Sequence, residues 1–367
     1  MYYRQLDALR FVAVTMVLLQ HWFSFEFVKT FYLGLQGVLL FFALSGFLIT
    51  NILLKNKQEV ENGTTTNAKV LKTFYFRRTL RIFPIYYLTL IFLYLFSFKG
   101  LDGKTIWYAL YASNIYTFIH QKWDGIIGPL WSLAVEEQFY LVWPFLILLV
   151  PAKRLMYFFI GCILSAPVLR LIAVLIGNTM TSAPEPHISM IVLMPCCIDC
   201  FAFGGLLAYI LQHKAKYERE IKFLNNNALF ATVFIAGLVS VMFRDNYFYY
   251  TLFPTLFSFF AILFIYRLVK SFKGITEKLV TNSVVIYLGK ISYGLYLYHG
   301  PFPFILAILD FTLMKVAPHF SLFSSVNDFP QTLRSVIWIV YLVIISSISY
   351  FFIEKPLNKL KEKFAYK

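Results

Sequence analysis

The sequence predicts an all-α, polytopic integral membrane protein. Of its 367 residues, 59% are hydrophobic and only 14% are charged, and the mean hydropathy is +0.69. A soluble domain averages about 45–50% apolar and about 25% charged residues. The apolar residues also fall in runs of roughly 18–25, which is the length of a membrane-spanning helix. We expect one transmembrane domain over residues 1–367, without an appended soluble domain.

About ten transmembrane helices are predicted from these runs. In chain order the predicted spans are 6–27, 35–54, 82–98, 129–150, 155–176, 188–211, 226–243, 248–267, 283–309 and 332–353. The longest predicted inner connection is 55–81, in which the polar stretch 59–67 is expected to form a loop.

The basic residues predict the orientation. If both termini are cytoplasmic, 24 Lys and Arg residues lie on the inner side and 7 on the outer side, in agreement with the positive-inside rule. This distribution explains the net charge of +15 without a nucleic-acid partner. The four cysteines lie within apolar runs, so we expect neither a disulfide framework nor a metal site.

The first span carries two polar residues, Arg10 and His21. Eleven residues at about 100° each make three turns and about 20° more, so both side chains face the same way, roughly 16 Å apart along the axis. Polar side chains within a membrane usually line a bundle interior or a wet cavity. The alternative is that Arg10 extends to the interface and that His21 bonds a backbone carbonyl.

A basic cluster, Arg77, Arg78 and Arg81, precedes the third span. On a helix, Arg81 lies beside the other two at spacings of four and three residues. Such a cluster can hold a phosphate-rich ligand through forked, charge-assisted hydrogen bonds. Contact with anionic lipid headgroups is the alternative.

The fourth span contains two adjacent carboxylates, Glu136 and Glu137. An intramembrane carboxylate indicates a functional site, and a structural ion pair is the alternative. Counted from the predicted span ends at about 1.5 Å per residue, both lie at the depth of His21. Arg10 lies instead at the level of the basic cluster.

Several other polar residues fall in the predicted spans. Ser45 can hydrogen-bond across helices, and Gly46 allows another backbone to approach closely, although plain helix packing explains both as well. Arg170 is a possible partner for an intramembrane carboxylate. The remaining candidates are Asp199, Tyr293 and His299.

Six short motifs follow one another along the chain. They are Leu6–Arg10 with His21, Phe41–Phe47, Phe76–Pro84, Trp131–Tyr140, Leu288–His299 and Phe352–Pro356. Together they resemble the membrane-bound acyltransferase family 3, bacterial enzymes that O-acylate polysaccharides and related glycans. One departure is Cys197, which stands where the family commonly has an arginine two residues before the position of Asp199.

The resemblance implies transfer of an acyl group, most often acetyl, from cytoplasmic acyl-CoA to a hydroxyl of a glycan or lipid-linked glycan. It also implies a location in the bacterial plasma membrane. We expect the CoA phosphates to be held by four arginines, Arg10, Arg77, Arg78 and Arg81. A transporter or flippase of lipid-linked glycans is the alternative function, because intramembrane ionisable residues are typical of transporters as well.

For the chemistry, we expect His21 to act as general base, oriented by Glu136 or, as second choice, by Glu137. Ser45 or Tyr293 would position the acceptor or stabilise the developing oxyanion. A covalent acyl-enzyme on Ser45 or His21 stays open. The residues expected to contact substrate are Tyr293, His299, Asp199 and Arg170. The acceptor, the acyl chain and the oligomeric state stay open at this point.

Overall fold

The computed structural model describes residues 3–182, 185–243, 247–270, 274–316, 326 and 329–361. Within these ranges the chain is helical and has no β-strand. The α-helices are α1 (Gln5–Trp22), α2 (Glu26–Thr30), α3 (Leu33–Glu61), α4 (Asn67–Leu95), α5 (Thr105–Ala109), α6 (Ser113–His120), α7 (Trp131–Leu149), α8 (Leu155–Met180), α9 (Pro186–Ile191), α10 (Ile198–Gln212), α11 (Glu218–Leu224), α12 (Asn227–Ser240), α13 (Tyr247–Lys270), α14 (Ile275–Thr281), α15 (Ser283–Lys290), α16 (Ser292–His299), α17 (Phe302–Val316), α18 (Gln331–Ser349) and α19 (Lys355–Leu360). Shorter helical turns occur at Lys99–Leu101, Gly125–Leu130, Ala152–Arg154, Met194–Cys197, Val241–Phe243 and Tyr350–Glu354.

Seven helical segments of the described chain are long and apolar enough to cross a membrane. They are Leu33–Glu61, Asn67–Leu95, Gly125–Leu149, Ala152–Met180, Met194–Gln212, Tyr249–Lys270 and Gln331–Leu360. A pair bent by 55°, Glu218–Leu224 with Asn227–Phe243, would add an eighth. The predicted class, an all-α multi-pass membrane protein, is therefore confirmed. The total of ten spans and the cytoplasmic position of both termini stay predictions, and residues 1, 2 and 362–367 lie outside the described ranges.

Three predicted spans are interrupted. The first, 6–27, is divided between α1 and α2 at residues 23–25. Residues 283–309 form three helices, α15 to α17, instead of one. Pro301 contributes to the second break, since a proline disfavours helical backbone in the residue before it. Residues 188–211 are likewise divided between α9 and α10, with Pro195 at the break.

The loop predicted at 59–67 is present but shorter, and the rest of the predicted inner connection 55–81 is helical. Helix α3 continues to Glu61 and α4 begins at Asn67, so only 62–66 connect them. The Thr66 side chain accepts a hydrogen bond from the Lys69 amide and caps the start of α4, as a threonine at this position usually does. The arginines at 77, 78 and 81 therefore lie within α4 and not at its beginning.

Helix α3 lies between α1 and α10 at the centre of the bundle. A Cβ atom added to Gly46 would stand 2.1 Å from the Phe201 carbonyl oxygen, and one added to Gly204 would stand 2.1 Å from the Ala43 oxygen. The two backbones can approach this closely only because both positions are glycine. The close approach of another backbone expected at Gly46 is therefore confirmed, and it holds α3 against α10.

Candidate active site

A hydrogen-bonded unit joins α3 to α7. The Glu136 carboxylate accepts hydrogen bonds from the Ser45 hydroxyl and from the Tyr140 hydroxyl through the same oxygen, Oε1. The two hydroxyl oxygens lie 3.2 Å apart. Glu136 and Tyr140 are one helical turn apart on α7, so the helix itself holds them in register. Ser45 is supplied by α3, which makes the unit a junction of two helices.

This unit faces a cavity of about 840 Å³, which we name the basic cavity. Its charged and hydroxyl-bearing lining consists of Arg10, Arg78, Arg81, Ser45, Ser132, Glu136, Glu137, Tyr140, Ser292, Tyr293 and Tyr296. The structure thus brings three of the four predicted donor-binding arginines together with three of the four predicted catalytic residues. One side of the cavity is cationic and the other carries the two carboxylates.

Each arginine has a defined setting. Arg10 forms an ion pair with Asp7 one turn earlier on α1. The Arg78 guanidinium carbon lies 5.0 Å from the centroid of the Tyr140 ring, within the range of a cation–π contact. Arg77 is turned elsewhere, because its Nη1 donates to the Lys361 carbonyl oxygen at 2.8 Å and the residue does not line the basic cavity.

Glu137 and Tyr293 occupy the same wall of the basic cavity. The Glu137 Oε1 atom is buried and has no hydrogen-bond partner among the described residues. The Tyr293 hydroxyl donates to the Ile82 carbonyl oxygen at 3.1 Å, which ties α16 to α4. A buried carboxylate oxygen without a donor is costly, so this atom is a candidate contact for a ligand.

His21 lies in a second cavity of about 970 Å³, which we name the aromatic cavity. The side chain is exposed to that space. Of the residues that the structure describes, Val38 and Tyr296 line both cavities. The Tyr296 hydroxyl contacts the Ser132 hydroxyl at 2.5 Å and donates to the Pro129 carbonyl oxygen at 3.1 Å. Tyr296 therefore forms part of the partition between the two spaces.

The nearest ring to His21 belongs to His299. Their ring centroids are 5.0 Å apart with an interplanar angle of 52°. His299 Nδ1 lies 2.5 Å from the Tyr296 carbonyl oxygen. Because a carbonyl only accepts, Nδ1 carries the proton. His299 Nε2 is buried without a hydrogen-bond partner among the described residues.

The structure does not bring His21 together with Glu136 or Glu137, the partners predicted for it. Among the described residues no hydrogen bond joins His21 to either carboxylate, and both carboxylates line the cavity of the arginines. Counting residues along two helices estimates the depth of each side chain but not the lateral distance between the side chains. In addition, a 3₁₀ turn precedes α7, so this helix begins later than the predicted span. His299 takes the place beside His21.

Asp199 and Arg170 form an ion pair that lines neither cavity. Arg170 Nη2 donates to both carboxylate oxygens of Asp199, at 2.6 and 2.7 Å, and both side chains are fully buried. The Thr255 hydroxyl donates to the same carboxylate at 2.5 Å. Together with Thr255, the pair connects α8, α10 and α13. The structure does not place either residue where it could touch a ligand in the two cavities.

Sequence reasoning missed several residues of the site. Tyr140 and Ser132 lie inside the Trp131–Tyr140 motif, and the i, i+4 spacing of Glu136 and Tyr140 was an available signal. Tyr296 belongs to the Leu288–His299 motif. Trp123, His187 and Tyr250 line the aromatic cavity, and no local pattern connects residues that distant in sequence. Among the described residues, no group of three or more His, Cys, Asp or Glu side chains is arranged to hold a metal.

Comparisons with known proteins agree with the motifs. The family model described as "Acyltransferase domain" matches residues 3–354. The chain is 28% identical to the peptidoglycan O-acetyltransferase OatA of Listeria monocytogenes, over 98% of this chain and 56% of that protein. It is 26% identical to the O-acetyltransferase OatA of Staphylococcus aureus, over 96% of this chain and 57% of that protein.

The chain thus spans a little over half the length of these curated relatives. No solved structure matches it. The family match extends over nearly the whole chain and includes both cavities. The protein belongs to the acyltransferase 3 family.

Proposed function

We propose that the protein is a membrane O-acetyltransferase that moves an acetyl group from acetyl-CoA to a hydroxyl of a cell-surface glycan. The observation that carries the proposal is the juxtaposition of a basic cavity and a histidine-bearing cavity that meet at Tyr296. Family membership favours acyl transfer over the transport alternative. The names of the relatives favour peptidoglycan as the glycan.

The basic cavity fits the donor. Arg10, Arg78 and Arg81 offer guanidinium groups to the phosphates of CoA, and such groups bind phosphate through paired, charge-assisted hydrogen bonds. The positive-inside distribution of charge supports approach of the donor from the cytoplasm. The donor supplies the acetyl group as a thioester and leaves as the free thiol.

His21 is the proposed general base. Its imidazole faces the aromatic cavity, so an acceptor there can give its hydroxyl proton to the ring as the oxygen attacks the acyl carbon. The same ring then returns the proton to the departing thiolate. His299, 5.0 Å away, is the proposed positioning residue for this imidazole.

The unit formed by Ser45, Glu136 and Tyr140 has a different proposed role. It lies on the basic cavity, where its hydroxyl oxygens can accept hydrogen bonds from the pantetheine amides. We propose that Glu136 takes the protons of both hydroxyls and so directs the lone pairs of Ser45 and Tyr140 towards the amide N–H groups of the donor. A covalent acyl group on Ser45 is a second route that the same geometry permits.

The test uses purified protein in detergent, supplied with radiolabelled acetyl-CoA and monitored for free thiol and for transferred label. We expect slow release of thiol, and we expect His21→Ala to reduce it at least about 100-fold. His120→Ala is the matched control, because His120 is likewise an exposed histidine but lines neither cavity. Full activity of His21→Ala would contradict the general-base assignment.

A further inference from the structure

A continuous arc of aromatic rings surrounds the cavity that His21 faces. Taken in spatial order the rings are Trp131, Trp123, His187, Tyr250 and Tyr32. Neighbouring ring centroids are 6.1, 6.4, 5.8 and 6.2 Å apart. Each spacing lies within the range of direct ring contact. Five rings from separate parts of the chain therefore form one concave surface.

A membrane-interface belt does not explain this arrangement. Interfacial Trp and Tyr residues sit around the circumference of a membrane protein at the level of the headgroups. Here all five rings line one cavity, together with Gln20 and His21. The arc thus lines a ligand-sized space, and a predominantly aromatic and apolar lining is the usual construction of a small-molecule site.

The cavity lining carries no fixed charge. Among the described residues that line it, none is Asp, Glu, Lys or Arg, in contrast to the basic cavity on the other side of Tyr296. Its polar groups are the Gln20 amide, the two imidazoles and the tyrosine hydroxyls. Burial lowers the pKa of His187 below its usual value, against the opposing effect of Glu185, so the His187 ring is mostly uncharged at neutral pH.

We infer that the aromatic cavity is the acceptor subsite and that it binds a neutral pyranose ring of the glycan, packed against the arc at Trp123. This inference rests on the proposed function and names its acceptor class. A pyranose has an apolar C–H face that packs on an aromatic ring, and an edge of hydroxyls that needs uncharged donors and acceptors. Gln20 and His187 supply such groups, and His21 lines the same cavity, where the reacting hydroxyl can contact it.

The test is a binding measurement with the full chain in detergent micelles. Triacetylchitotriose and cellotriose are the neutral probes, trigalacturonate is the anionic probe, and calorimetry reports each dissociation constant. We expect the neutral trisaccharides to bind, and we expect Trp123→Ala to weaken them about tenfold. Trp123→Phe, which retains a ring, should stay within about threefold of the parent protein.

Trp107→Ala is the matched control. Trp107 contacts Tyr116, with centroids 5.9 Å apart, and does not line the aromatic cavity, so its removal should leave sugar binding unchanged. Gel filtration and thermal unfolding confirm that each variant is folded.

Three outcomes would overturn the inference: unchanged binding in folded Trp123→Ala, failure of both neutral sugars to bind the parent protein, or tighter binding of trigalacturonate. Release of thiol from acetyl-CoA, measured without acceptor, separates this inference from the proposed function. If sugar binding depends on Trp123 but no thiol is released, the subsite stands and the acetyl-transfer proposal fails. If thiol release depends on His21 but the affinity for sugar does not depend on Trp123, the acetyl-transfer proposal stands and the subsite proposal is wrong.

Discussion

His21 and His299 face one another with ring centroids 5.0 Å apart, and only one of the two is held by a backbone hydrogen bond. His299 Nδ1 is fixed on the Tyr296 carbonyl, whereas the His21 ring is exposed to the aromatic cavity. A buried, fixed imidazole beside a free one is a suitable arrangement for orienting a general base. The two rings come from α1 and α16, which are far apart in the chain.

His299→Ala should lower kcat about tenfold or more and leave KM for acetyl-CoA unchanged, because the base loses its positioning neighbour and the donor cavity is untouched. His213→Ala is the matched control, since His213 also contacts a carbonyl one turn earlier, at 2.9 Å, but lines neither cavity. Steady-state kinetics at several donor concentrations give both constants. A change confined to KM would show that His299 serves donor binding instead.

Ser45→Ala and Tyr140→Phe should each reduce kcat about tenfold, because Glu136 then holds one hydroxyl instead of two. The double variant should cost less than the product of the two single effects, since both residues act through the same carboxylate. A double-mutant cycle on acetyl transfer measures the coupling. Strictly multiplicative effects would indicate that Ser45 and Tyr140 act independently.

Arg78→Met should weaken CoA binding about tenfold or more and reduce its dependence on salt, because one guanidinium is lost from the basic cavity. Arg77→Met should change the affinity by less than about threefold, since Arg77 is directed to the Lys361 carbonyl. Calorimetric titration with CoA at low and high salt compares the two. An equal loss of CoA affinity in the two variants would indicate that Arg77 contacts the donor, as expected from the sequence.

CoA binding should tighten as the pH falls from about 8 to about 7. Burial, reinforced by the neighbouring Arg81, Arg78 and Arg77 and opposed by Glu354, lowers the pKa of Lys361 to about 7, far below the value of about 10.4 for a free lysine. The amine is therefore mostly neutral at pH 8 and gains positive charge as the pH falls through 7. That charge attracts an anionic donor.

The measurement is the CoA dissociation constant at several pH values in the parent protein and in Lys361→Met. The phosphates of CoA titrate equally in both, so only the difference between the two curves reports Lys361. Identical pH dependence in the two proteins would show that this amine does not act on donor binding.

Asp199→Asn should lower the free energy of unfolding by about 3–5 kcal/mol, because it leaves the buried Arg170 guanidinium without its counter-charge. Activity per folded molecule should remain close to that of the parent protein, since neither residue lines a cavity. Thermal unfolding in detergent and kinetics on the folded fraction separate the two effects. A stable variant with lost activity would support the substrate contact expected from the sequence.

Much of the architecture was predictable because it depends on local composition. Apolar runs of membrane-spanning length produce helices wherever they occur, and six ordered motifs were sufficient to indicate the family. The association of Arg10 with Arg78 and Arg81 was also predictable, since all three belong to the end of the bundle predicted to be cytoplasmic. Helix breaks such as the one before Pro301 were harder to predict from the sequence, because hydropathy does not detect a change of helix direction.

The sequence by itself therefore determined the membrane class and the family, and it supplied the candidate site residues. The tertiary structure decided which of these residues meet. It placed Glu136 with Ser45 and Tyr140 on the basic cavity, and it placed His21 beside His299. The physical reason is that the periodicity of a helix predicts the depth of a side chain and the face on which it lies. Which side chain of another helix it meets depends instead on how whole helices pack. That packing is set by contacts between distant parts of the chain, such as the close approach of the backbones at Gly46 and Gly204.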